Sequence, residues 1–134
     1  MRVLGIHLSG DGTEWCRLTE SGVVVGVISG DALWQVIEQA LDEGMIGSDD
    51  DPLRIVVGGD IPTGHRIDLP QWQATTPGVE VSLYARWETA AALRAVRWVS
   101  GSLSQALRQY GLLAPDAPPR RAAALALDLA RRLS

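Results

Sequence analysis

The sequence predicts an α/β domain built on a mixed five-stranded sheet, and three observations carry that expectation. Val3 to Leu8 is an apolar run without alternation, the pattern of a strand covered on both faces and central in a sheet. Two further strand-like runs follow it closely, separated only by short turns, so the three can form an antiparallel meander. Leu33, Val36, Ile37, Ala40 and Leu41 then repeat at helical spacing before another apolar run. A helix between two strands is the connection that parallel neighbours require.

The elements follow in order. The second strand is expected over Thr13 to Thr19 and the third over Val23 to Ile28, joined by Glu20-Ser21-Gly22. Asp31 or Ser29 can cap the first helix, and Gly44 can end it. Asp49-Asp50-Asp51-Pro52 reads as a solvated loop, and Leu53 to Val57 as a fourth strand parallel to the first. From Gly58 to Gly78 the density of Gly, Pro and Thr around Trp72 predicts a long loop, functional or mobile. Val79 to Leu83 is a short fifth strand. A helical region is expected from about Trp87 to Tyr110, open to interruption at Ser100-Gly101-Ser102 and closed by Gly111. Residues 113–119 form a proline-rich linker before a last amphipathic helix, Arg120 to Leu133, in which Leu125, Leu129 and Leu133 lie four apart. The whole of 1–134 is expected to be one domain.

Composition narrows the function classes. Hydrophobic residues make up 46% and charged residues 21% of the chain, ordinary values for a soluble globular protein. Cys16 is the single cysteine, which fits a reducing compartment, and neither a membrane span nor a signal-peptide layout is visible. A cytoplasmic protein with no membrane partner is expected. All 12 cationic side chains are arginine, and the net charge of −4 argues against indiscriminate nucleic-acid binding. The charge is uneven, however. Residues 1–67 hold 11 acids and 4 arginines, whereas residues 68–134 hold 5 acids and 8 arginines. A polyanionic partner should therefore meet the second half.

Meander, crossover helix, two further strands and terminal helices make up the ribonuclease-H-like order. The chain resembles the small RuvC/YqgF-type Holliday-junction resolvase-like proteins of that superfamily. Val3-Leu4-Gly5-Ile6-His7 as first strand, Arg54-Ile55-Val56-Val57-Gly58-Gly59 as fourth, and Val79 to Leu93 as fifth strand and following helix carry the resemblance. It implies three or four carboxylates around two magnesium ions, which clamp the attacking and leaving oxygens of a phosphoryl displacement. At those positions the chain departs from the pattern. The first-strand aspartate is replaced by His7, Tyr84-Ala85-Arg86 has no acid where one is implied, and Arg121 to Ala124 has none at the start of the last helix. Glu88 and Asp128 lie slightly beyond those two places. The resemblance thus implies a catalytically degenerate domain working in a nucleic-acid context, without a cofactor.

Each candidate side chain has a functional and a plain reading. His7 could ligate a metal or be a histidine satisfied by a hydrogen bond within the sheet. Asp11 could be a metal or phosphate-loop residue, or simply half of an Asp-Gly turn. Leu8-Ser9-Gly10-Asp11-Gly12-Thr13 also resembles the first phosphate loop of actin-like ATPases, although those need two facing domains. Asp60 follows the fourth strand, where open sheets place ligands, and could equally bond its own loop. His65-Arg66 could touch phosphate or form a polar loop tip. Asp128 precedes Arg131 and Arg132 at salt-bridge spacing. Should His7, Asp11, Asp60, Glu88 or Asp128 serve as relocated ligands, the chain would instead be a magnesium-dependent nuclease.

The helix from Trp87 to Tyr110 suggests a partner surface. Val96, Val99, Leu103, Ala106, Leu107 and Tyr110 share one face, expected to be the core side. Arg86, Arg97 and Arg108 recur every eleven residues and form one stripe, flanked by Trp87 and Trp98 with Arg94 nearby. Arginines and tryptophans can hold phosphates and bases, or dominate a protein interface. Nucleic acid, a nucleic-acid-processing protein and a second copy of the chain are the partners expected, a non-enzymatic interaction module being the alternative function.

Overall fold

β1 (Arg2–Ser9) turns at Gly10-Asp11 into β2 (Gly12–Thr19), which runs back beside it and is followed by β3 (Gly22–Ile28). The computed structural model describes residues 1–20, 22–99 and 120–133, with the side chains of residues 96–99 and 120 outside that description. After α1 (Leu33–Asp42) come β4 (Leu53–Gly59), α2 (Thr63–Ala74), β5 (Val79–Leu83), α3 (Arg86–Val99) and α4 (Arg120–Leu133). The strands form one sheet in the order β3-β2-β1-β4-β5. β1 is central, antiparallel to β2 and parallel to β4, with Leu4 beside Ile55 and His7 beside Gly58. This is the mixed five-stranded sheet of the ribonuclease-H-like arrangement.

Both faces of β1 are covered, which explains why its side chains show no apolar–polar alternation. Leu4, Ile6 and Leu8 join Leu53, Ile55 and Val57 beneath Leu33, Val36, Ile37 and Ala40 of α1 and Leu69 of α2. Val3, with Cys16 and Val56, packs beneath Ala122, Ala123, Leu125 and Ala126 of α4 and Ala92 of α3. A side chain at Gly5 would run into the Ala122 carbonyl and the Ala126 methyl, so Gly5 and the alanines of α4 are a matched pair that lets the helix lie close on the strand. Every residue from Ala122 to Leu129 is buried, Asp128 included.

Two expectations change. The segment 58–78 is not a long loop, because β4 runs to Gly59 and α2 fills Thr63–Ala74. Pro62 precedes that helix, Pro70 lies inside it, and Leu69 is its one fully buried residue. The apolar stripe is thus too narrow to show a period, and tertiary contacts hold the helix instead. Trp72 packs edge-on against Trp34 of α1 at 5.6 Å between ring centroids. Secondly, neither Asp31 nor Ser29 is the N-cap of α1. Ala32 holds that position, its N–H donating to Thr13 Oγ1 at 2.9 Å, while Asp31 Oδ1 accepts from Leu33 N–H at 3.2 Å. α3 begins at Arg86, in line with the helix expected from about Trp87. Its continuation to Tyr110, the face formed by Leu103, Ala106, Leu107 and Tyr110, and the linker at 113–119 lie outside the described residues.

Candidate functional site

The ends of β1 and β4 open toward the first turns of α3 and α4, and of the candidates, His7, Asp60 and Glu88 belong to this end. β1 delivers His7 on the α4 side of the sheet, and the hairpin register sets Glu14 of β2 directly opposite. β4 ends in Gly58-Gly59, where Gly59 has φ of +88°; a side chain there would meet the Leu8 carbonyl and the His7 ring. Gly59 N–H donates to Thr89 Oγ1 of α3 at 3.1 Å, and Asp60 N–H donates to the Leu8 carbonyl at 2.8 Å. The chain is thereby drawn tightly across the top of β1.

His7 is buried, and its Nδ1 has no hydrogen-bond partner. Glu14 Oε2 is 3.8 Å away, beyond hydrogen-bond length. Burial, reinforced by the Arg121 guanidinium and opposed by Asp60, lowers the imidazole pKa to about 4. His7 is therefore neutral at physiological pH. The hydrogen bond within the sheet, expected from sequence, is not made at Nδ1. Glu14, also buried, is occupied by α4: Arg121 N–H donates to Glu14 Oε1 at 3.3 Å, and the Arg121 guanidinium forms an ion pair with Oε2.

The other carboxylates do not converge on His7. Asp60, exposed, pairs with Arg86 at 2.7 Å. Glu88 accepts the Ala85 N–H at 3.0 Å and so caps the start of α3. Asp128 is buried, where it accepts from the Tyr84 hydroxyl at 3.0 Å and pairs with Arg132 Nε at 3.1 Å, the helical salt bridge expected from spacing. Burial, reinforced by the bond to Asp128, pushes the Tyr84 phenol up to about 12. Asp11 is exposed in the β1–β2 turn. His65 and Arg66 belong to α2 rather than to a loop tip. His65 Nε2 meets Asp31 Oδ2 at 2.6 Å, and Arg66 donates to the Tyr84 carbonyl at 3.4 Å.

Magnesium takes oxygen ligands, and a two-ion centre takes several carboxylates. Here a neutral imidazole stands on the first strand and a guanidinium engages the nearest buried carboxylate. Among the described residues no group of three or more His, Cys, Asp or Glu side chains could hold a metal ion. The described residues at this end of the sheet do not fit a magnesium pair.

The sequence matches no protein-family model, and the curated proteins include none similar to it. No helix among the described residues is long and apolar enough to cross a membrane.

Of the expected partner surface, Arg86, Trp87 and Arg94 are exposed, Trp87 at 72%. Arg97 and Trp98 lie on α3 with their side chains outside the description, and Arg108 lies outside the described residues. Glu14, Thr89 and Arg121 were not among the sequence candidates. For Glu14 a signal existed: a two-residue turn at Gly10-Asp11 places it opposite His7 by hairpin arithmetic. Arg121 carried none, because its partner lies 107 residues away.

Proposed function

We propose that the chain is a catalytically silent ribonuclease-H-like domain that works on nucleic acid without cleaving it. The observation that carries the reading is Arg121 paired with Glu14 over a neutral His7. At the sheet end where the resemblance implies divalent metal, the chain supplies its own fixed cation. A guanidinium there, partly open to solvent, can meet a phosphate oxygen but cannot generate a hydroxide nucleophile. Arg86 and Trp87 stand at the neighbouring start of α3, offering a phosphate contact and a ring on which a base can stack.

Fluorescently labelled single-stranded, duplex and four-way-junction DNA, incubated with the protein in magnesium or manganese, tests this directly. Binding without cleavage is expected, weakening steeply with salt as phosphate contacts release counterions. Trp87→Ala should reduce single-strand binding while leaving the folding transition in place. Metal-dependent cleavage lost in Asp60→Asn would overturn the proposal and favour a nuclease with relocated ligands. The exposure of Trp87 also supports a second reading, a protein-interaction module, for which association would be nearly independent of salt and no DNA would bind.

A further inference from the structure

The two edges of the sheet are finished differently. On β5, the Val81 N–H is taken by Gln73 Oε1 of α2 at 2.7 Å, and the chain just beyond is held where Arg66 donates to the Tyr84 carbonyl at 3.4 Å. β3, at the other edge, has no such cover among the described residues. Its seven residues, Gly22 to Ile28, carry no charge and no proline, and they pair with β2 residue for residue without a bulge. Val24 and Val27 are 55% and 49% exposed. Charge, proline, bulges and covering segments are the devices that keep an edge strand from pairing with another chain, and among the described residues β3 uses none of them.

We propose that β3 is a self-association edge, on which a second copy of this chain pairs its own β3 antiparallel about a twofold axis through Val25. This goes beyond the proposed nucleic-acid role and does not depend on it. Self-complementarity argues for the second copy as occupant. Centring on Val25 uses the full strand, setting Gly22 against Ile28, Val23 against Val27, and Val24 against Gly26. At Gly26 the Trp15 ring lies over the strand where a side chain would otherwise be. Val24 of the second copy would thus meet a small residue and the edge of an indole.

A hollow of about 330 Å³ lined by Arg17, Gly22, Val23, Val24, Glu43 and Met45, with Thr19, opens beside the same strand. In this register Ile28 of the second copy lies opposite Gly22, at the mouth of the hollow. On the other face Val23, Val25 and Val27 from both copies form one apolar row. A strand about 23 Å long, with these side-chain contacts, buries on the order of 1,000 Å² in total, the lower end for specific association. With β5 covered, β3 is the one open edge among the described residues, so the assembly closes as a dimer and does not extend into a fibre.

Sedimentation equilibrium of the full chain across micromolar concentrations tests the proposal, together with Val24→Lys/Val27→Lys. Both valines are half-exposed, so lysine heads stay solvated in the monomer. The unsubstituted chain is expected to dimerise without weakening at high salt, and the double variant to lose affinity by roughly a hundredfold or more. Hydrogen exchange of the unsubstituted protein gives an independent readout, with amides in Gly22–Ile28 slowing as concentration rises. A monomer at every concentration, a dimer indifferent to the double substitution, or exchange in β3 independent of concentration would overturn it.

Discussion

His7 Nδ1 stops 3.8 Å short of Glu14 Oε2, although the two residues face each other across adjacent strands. The carboxylate is held instead by Arg121, and the imidazole stays neutral. A protonated His7 would be a buried cation beside a guanidinium. Folding therefore opposes protonation.

Stability should consequently depend on pH through His7. Its folded pKa, about 4, lies below the ordinary 6.5, so between these values the unfolded chain binds the proton and the folded chain does not. This contribution is complete above pH 6.5 and is lost as pH falls toward 4. A shift of this size corresponds to a loss of about 3 kcal/mol. Urea denaturation across this range should show the slope, and His7→Gln should flatten it.

Arg121→Ala should strand the Glu14 carboxylate in a buried position and cost about 2–3 kcal/mol. Glu14→Gln in the same background should recover part of that loss, because a neutral amide is cheaper to bury. Chemical denaturation of the single and double variants measures the coupling. The His7 imidazole should also titrate higher in Arg121→Ala, since a cation that suppresses its protonation has gone. Histidine NMR reads this directly, and an unchanged His7 titration would contradict the electrostatic link.

Two glycine substitutions should move stability in opposite directions. Gly5→Ala drives a methyl into the backbone of α4 and should cost at least about 3 kcal/mol, as the helix must lift from β1. Gly64→Ala, in the first turn of α2 with open space around it, should add about 0.5 kcal/mol by restricting the unfolded chain. Thermal denaturation distinguishes them.

Tyr84→Phe removes the hydroxyl that donates to buried Asp128 but leaves the Arg132 pair intact. The expected cost is about 1–2 kcal/mol. The alkaline titration of the Tyr84 phenol near 12 should disappear from the ultraviolet difference spectrum of the variant.

The fold was legible where local pattern and tertiary placement agree. β1 lacks the apolar–polar alternation of a half-exposed strand because helices cover both of its faces, and α1 shows a clean period because one of its faces is buried. α2 was hidden because Leu69 alone is fully buried on it, while Pro62, Gly64 and Pro70 carry the signals of a loop. The site was half legible. The place of His7 on the central strand can be read from the chain, and the position of Glu14 follows from the hairpin. The choice of Arg121 as its partner is set by how α4 crosses the sheet, which no local pattern records.

The burial of α4 bears on the order in which the protein is made. β1, in the first ten residues, receives on one face a helix that begins at Arg120. As the chain leaves the ribosome, the layer of α1 and α2 can settle on its side of the sheet once β5 is out. Val3, Gly5, Cys16 and Val56 meanwhile wait uncovered for Ala122, Ala126 and Leu125. During that interval the nascent domain carries an open apolar face next to the β3 edge, which no segment covers among the described residues. Translation speed through the last helix, and any chaperone that shields the half-built sheet, would therefore govern how much chain reaches the native state.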